Sequence, residues 1–271
     1  MKSVACILLV ALVLGPGVTG SVVAQSSGPT MAVEAGFDGR CRSNAWCPVR
    51  VILTNEGADV EGELRVILPA SGADDPDVYS RPVVLPAHSR KAYFLYLPAA
   101  GLSYRSRLTV QVVAGNRVLA TRLAVVMWAD AKDRLYGVVS GDPSALNFLS
   151  DVAPATGRAV VARLSLDALP PNPLGWEALD VLILNDVDTT ALSDEQRHAL
   201  ETWVAHGGHL IVGGGGGAAR TVAGLAASAM GSGQRLLPVA VTGLRQVGDL
   251  RALGEEIGAT VAAGPFVVAE A

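Results

Sequence analysis

Lysine is nearly absent from this sequence, occurring only at Lys2, Lys91 and Lys132, so arginine carries almost all of the positive charge. That bias fits a GC-rich genome and carries no functional reading. The formal net charge is −4, and a mildly acidic chain is a poor ligand for phosphate backbones. Nucleic acid is excluded as a partner. Aromatic residues make up only 5% of the chain, which weighs against a stacking platform for sugars. Cysteine occurs at positions 6, 41 and 47 and nowhere later, so the second half has no thiol nucleophile. It also lacks the Gly-x-Ser-x-Gly pattern of a serine nucleophile elbow. No apolar run reaches the roughly twenty residues that cross a bilayer.

What is present begins with a leader. Lys2 is a short positive region, Val4 to Leu14 is uninterruptedly apolar, and Gly15-Pro16-Gly17 breaks any helix. Val22-Val23-Ala24 supplies the small residues that signal peptidase needs. Cleavage is expected after Ala24, leaving residues 1–24 as a signal peptide and an extracytoplasmic mature chain. The alternative is an uncleaved membrane anchor. Cys6 lies inside the apolar run, too early for a lipoprotein acceptor. Once the leader is removed, Cys41 and Cys47 remain, separated by the five residues Arg-Ser-Asn-Ala-Trp. They are either a disulfide closing a small loop or a pair of reduced thiols, and an oxidising destination favours the bridge.

Residues 25–130 read as short β-branched strands punctuated by Gly, Asn, Asp and Pro. Strands are predicted at Trp46 to Thr54, Glu63 to Leu68, Ser89 to Leu97, Ser106 to Val113 and Arg117 to Trp128. Turns at Asn55 to Asp59 and Gly115-Asn116 separate them, a spacing that indicates a β-sandwich. The phrase from Trp46 to Gly57 resembles the opening of immunoglobulin-like modules in bacterial envelope proteins.

A polar joint at Ala129 to Arg134 precedes a change of period, and residues 134–271 read as a second domain. Leu135 to Ser140, Ala159 to Leu164, Asp180 to Leu184 and His209 to Val212 are predicted strands, with a helix over Ser144 to Val152. Ser193 and Gln196 form a capping box, Leu200, Trp203 and Val204 make a buried stripe, and Gly207 is a left-handed C-terminal cap. This alternation implies a parallel sheet with helices on both faces. Phe266 to Ala269 begins another strand.

The stretches Leu179 to Asp186, Leu192 to Gln196 and Trp203 to Val212 resemble the class I glutamine amidotransferase-like superfamily. More narrowly, they resemble an envelope branch that follows an N-terminal sandwich. The resemblance covers Leu135 to Gly217. It implies a flavodoxin-like α/β domain, further strands and a C-terminal membrane helix, so this chain is expected to be a shortened relative or an incomplete gene product. Membrane association would then need a missing C-terminal segment or an uncleaved signal. The nucleophilic cysteine of such enzymes has no counterpart here, so the domain is expected to be non-catalytic.

Four residues are candidates for a ligand or metal site at the carboxyl edge of the sheet: Asp142, Asn185, Asp186 and Asp188. Their oxygens suit Mg²⁺ or Ca²⁺, while the plainer role is turning the chain and capping amides. Gly213, Gly215 and Gly217 precede a helix and are candidates for an anion, although the dinucleotide fingerprint belongs after a first strand. His198, His206 and His209 cluster in sequence without a convergent third zinc ligand, and His88 reads as a loop residue. No cofactor is firmly implied. The expected function is an envelope scaffold or ligand-sensing module whose partners are other envelope proteins. The alternatives are a metal-assisted hydrolase using Asp142, Asp186 and Asp188, and a carbohydrate- or peptide-binding module.

Overall fold

The structure is a computed structural model that describes residues 28–69, 76–98, 105–151, 154, 156–213, 217–225, 236–238 and 266–269. The leader and its cleavage site lie outside the described residues. The first eight strands are β1 (Thr30–Ala35), β2 (Arg40–Arg42), β3 (Trp46–Asn55), β4 (Val60–Ile67), β5 (Val78–Leu85), β6 (Ser89–Pro98), β7 (Arg105–Ala114) and β8 (Arg117–Ala129). They form two sheets, ordered β1-β3-β6 and β2-β8-β7-β4-β5.

Period-two alternation places one face of each strand inside. Val49, Val51 and Leu53 of β3 meet Leu64 and Val66 of β4 and Leu108, Val110 and Val112 of β7, all fully buried. Fully burying such a side chain contributes about 1.5–3 kcal/mol, so this layer dominates the stability of residues 28–129. Trp128 closes one end, its indole N–H donating to the Ser106 hydroxyl at 3.0 Å. Cys41 and Cys47 are joined as a disulfide and are both fully buried.

After a four-residue joint the chain enters β9 (Arg134–Ser140), then β10 (Ala159–Arg163), β11 (Val181–Asn185) and β12 (His209–Gly213), which pair in parallel in the order β10-β9-β11-β12. Two short strands complete the sheet: β14 (Phe266–Ala269) pairs antiparallel with β12, and β13 (Leu236–Pro238) pairs antiparallel with β14. Helix α1 (Asp194–Ala205) carries the expected capping box, with the Ser193 hydroxyl accepting from Gln196 N–H and the Gln196 side chain accepting from Ser193 N–H. Leu200, Trp203 and Val204 are buried, and Gly207 has φ +95°. Both sheet faces are covered, as continuous apolar strands require. Leu182, Leu184, Leu210 and Val212 face α1; Val138, Ile183 and Ile211 face Leu146 and Leu149.

This second unit corrects the fold expected for it. Among the described residues strand outweighs helix by 51% to 19%, with no clear flavodoxin-like domain flanked by helices. The segment expected as a helix over Ser144 to Val152 is a 3-10 stretch (Pro143–Asp151) broken at Leu146. The connection from β10 to β11 is two short 3-10 turns, Leu166–Ala168 and Pro173–Trp176. Pro170, Pro171 and Pro173 explain the second case: proline has no N–H to donate and clashes with the preceding helical turn. The sheet then finishes with antiparallel rather than parallel strands.

The two units share an interface. Phe37 and Ala45, before and after β2, belong to the core under α1. Arg42 donates to Asp180 at 2.5 Å, Arg40 to the Val161 carbonyl at 2.8 Å, and Arg50 to Asp167 at 2.5 Å.

Candidate functional site

Asp142, Asn185, Asp186 and Asp188 follow β9 and β11 at one edge of the parallel sheet. Their side chains are engaged locally. The Asp142 carboxylate accepts from Ser144 N–H at 3.0 Å and from its hydroxyl at 2.5 Å. Asp188 does the same for Thr190, at 3.0 and 2.6 Å, and those hydrogen bonds hold its carboxyl below the usual range. Asn185 donates to the Ser140 hydroxyl at 3.2 Å. Asp186, at φ +52°, forms an ion pair with Arg220. Among the described residues no three His, Cys, Asp or Glu side chains gather as a metal site.

The glycines at this edge have a steric role. A Cβ at Gly213 would collide with the Asn185 side chain, and one at Gly217 with the Asp186 carboxylate. The close approach of these two polar side chains requires bare backbone at both positions. A carboxylate therefore occupies the space against Gly217 where an anion was considered. Gly215 lies outside the described residues. Of the histidines, His206 has Nδ1 2.6 Å from the Thr202 carbonyl at the end of α1, His88 sits in a turn at φ +51°, and His198 is exposed on α1.

A different place gathers unlike groups from both units. A cleft of about 510 Å³ opens between the outer face of the β1-β3-β6 sheet and the end of β10, lined among others by Glu34, Arg50, Phe94, Leu123, Arg163 and Ser165. Its volume falls in the range of small-molecule sites. Arg50 is the central group. Alternation along β3 turns it away from the sandwich core, and the 3-10 turn at Leu166–Ala168 covers it, leaving its side chain 8% exposed. It donates to Glu34 at 2.8 Å and to Asp167 at 2.5 Å, while its Nε is buried without a partner. Burial lowers the pKa of this guanidinium, and the two carboxylates outweigh that and raise it. The Asp167 carboxyl is held low, first by Ser165 and then by Arg50, against an opposing effect of burial.

Beside the cleft, Tyr96 of β6 lies against Gly175 and Pro170 of the second unit. Burial pushes its phenol up to about 12. Asp180 is the other anchor: it accepts from Arg42, from Arg134 at 2.9 Å and from Leu135 N–H at 2.8 Å.

Sequence reading did not single out Arg50, Asp167 or Asp180. One signal was available for Arg50, a charge at an outward strand position between Pro48 and Ile52, where a solvated face would carry more polar residues. For the other two there was none, because their arginine partners in the sandwich, Arg42 and Arg50, are more than a hundred residues away in sequence.

Residues 28–126, the sandwich, match a family described as a domain of unknown function (DUF8726). No curated protein matches the chain. Similar solved structures include the CARDB domain of a Pyrococcus furiosus protein in complex with di-metal ions. It is 18% identical over 37% of this chain and 89% of that one, with a TM-score of 0.30. They also include a β-glucosidase from Erythrobacter marinus, 11% identical over 37% of this chain and 15% of that one, TM-score 0.29. A third is Spo0M, a sporulation control protein from Bacillus subtilis, 7% identical over 37% of this chain and 49% of that one, TM-score 0.25. The comparisons support a DUF8726 domain and give nothing for a glutamine amidotransferase-like domain. The resemblance drawn from Leu179 to Val212 is corrected accordingly: a run of apolar parallel strands and a well-capped helix is generic to sheets buried on both faces.

Proposed function

We propose that this chain is an exported, extracytoplasmic binding or scaffold protein of the cell envelope, with the cleft over Arg50 as its ligand-facing site. The observation that carries the reading is the cleft's composite construction: Glu34, Arg50 and Phe94 come from the sandwich, and Arg163 and Ser165 from the second unit. The leader and the Cys41–Cys47 disulfide support export, since such bonds persist in oxidising compartments. Opposed charges beside an aromatic ring suit a polar ligand of low net charge, such as a peptide segment or an oligosaccharide. The hydrolase alternative has less support, because Asp142, Asp186 and Asp188 each hold a local partner.

Two measurements test this. The full chain, tagged at its C-terminus, would be expressed in a bacterial host, fractionated and weighed intact. An extracytoplasmic product lacking the first 24 residues is expected, and a full-mass cytoplasmic product sinks the export reading. The purified chain would then be screened by thermal shift against peptides, cell-wall oligosaccharides, and Mg²⁺, Ca²⁺, Mn²⁺ and Zn²⁺. A ligand at a hundred times its dissociation constant stabilises the fold by about 2.7 kcal/mol. A shift lost in Phe94→Ala supports the cleft. A metal shift lost in Asp186→Asn instead moves the hydrolase ahead.

A further inference from the structure

Among the described residues, five large hydrophobic side chains are exposed: Val78, Val84, Val118, Leu123 and Val125. Strand register puts all five on one surface, the outer face of the β8-β7-β4-β5 sheet. Leu64, Val66, Leu108, Val110 and Val112 point into the sandwich core, so their sequence neighbours point out. The pairings then arrange the outer face in rows. One row crosses the sheet as Val78, Ile67, Thr109 and Leu123. The next is Ser80, Arg65, Gln111 and Thr121, and the one after is Pro82, Glu63, Val113 and Val118. At one end, beyond the first row, stand Arg107 and Val125. At the other end stand Glu61 and Val84.

This arrangement has a twofold character. About the polar central row, Val78 and Leu123 of one row answer Pro82 and Val118 of the other, while Ile67 answers Glu63 and Val113 is itself buried. Arg107 at one end answers Glu61 at the opposite end. A twofold axis lying along the central row would bring two such faces together. It sets Leu123 over Val118 of the second copy, and Arg107 near Glu61. The charge pair and the apolar contact are each made twice, as an isologous interface requires.

We infer that this face is a self-association surface whose occupant is a second copy of this chain, stacked face to face with its strands reversed. The second unit docks on the other sheet through Arg50 and Tyr96 and on the β2 edge of this one through Arg40 and Arg42. Leu123 and Val125 border the cleft between them, while Val78, Val84 and Val118 stay exposed. The area sets the strength. Four strands by about eight residues give roughly 500 Å² in projection on each copy, below the roughly 800 Å² per partner of stable complexes. The association is therefore reversible and concentration-dependent.

Sedimentation velocity on the chain from Gln25, over a dilution series from micromolar to near-millimolar concentration, tests this. A monomer–dimer equilibrium is expected. Val118→Asp is expected to abolish it while leaving the thermal transition unchanged, since the side chain is already 53% exposed. Arg107→Glu and Glu61→Arg should each weaken it about tenfold through facing like charges, and the double variant should recover most of that loss. A chain that stays monomeric throughout overturns the inference. Association that survives Val118→Asp places the interface elsewhere, and failure of the double variant to recover refutes the proposed register.

Discussion

Replacing Arg50 separates two accounts of why a buried arginine is kept at the junction. Its guanidinium holds Glu34 and Asp167, but those carboxylates are 51% and 68% exposed. Removing the arginine leaves them hydrated, so the large penalty for stranding a buried charge does not arise. Partly exposed pairs contribute about 0.2–1 kcal/mol each, and release of the unpartnered Nε offsets part of that. The aliphatic stem buries three methylenes at about 0.8 kcal/mol apiece. Arg50→Met, which keeps most of the stem, should cost at most about 1 kcal/mol. Arg50→Ala, which loses it, should cost about 3 kcal/mol. Urea unfolding followed by far-UV circular dichroism, with the slope checked for constancy, measures both. Equal costs for the two variants would refute the argument, because the charge and not the stem would then be holding the units together.

Two further outcomes follow from the same geometry. Replacing Cys41 and Cys47 together by serine should lower stability by about 2 kcal/mol, the loop-closure value for so short a ring, and reduction of the native chain should reproduce that loss; an unchanged melting temperature in both would contradict it. Burial raises the Asp133 carboxyl, but hydrogen bonds from Arg158 outweigh this and leave it lowered, so its contribution is present above the ordinary carboxylate value of about 3.9 and is lost as pH falls through the depressed one. Asp133→Asn should therefore flatten the acid limb of a stability–pH curve, and an unaltered limb would count against that assignment.

Much of the strand layout was legible because it is local. Val49, Val51 and Leu53 announce an inward face by alternation alone, and Ser193, Gln196 and Gly207 mark both ends of α1 through short-range hydrogen bonding. The crossovers were not legible in the same way. Ser144 to Asp151 is part of a segment expected as a helix yet coils as 3-10 turns, and the prolines at 170, 171 and 173 break the alternation of strands and helices that the sequence suggests. β2, three residues long, offers too few positions for any period to show. At the sheet edge the aspartates were placed on the right turns, but their partners Arg220, Ser144 and Thr190 decide what they do. The cleft escaped entirely, since it exists only where β1, β3, β6 and β8 meet residues 163–168 of the second unit.

The attachment between the halves has a mechanical consequence. Only residues 130–133 link β8 to β9 along the chain, a joint that would swing freely by itself. Arg40, Arg42 and Arg50 pin the sandwich to Val161, Asp180 and Asp167 at points spread across both of its sheets. A lever fastened at three separated points, besides its joint, does not pivot. Tension or torque applied to the sandwich is passed into the parallel sheet as strain instead of being absorbed as a bend, so the molecule behaves as a strut rather than a tether.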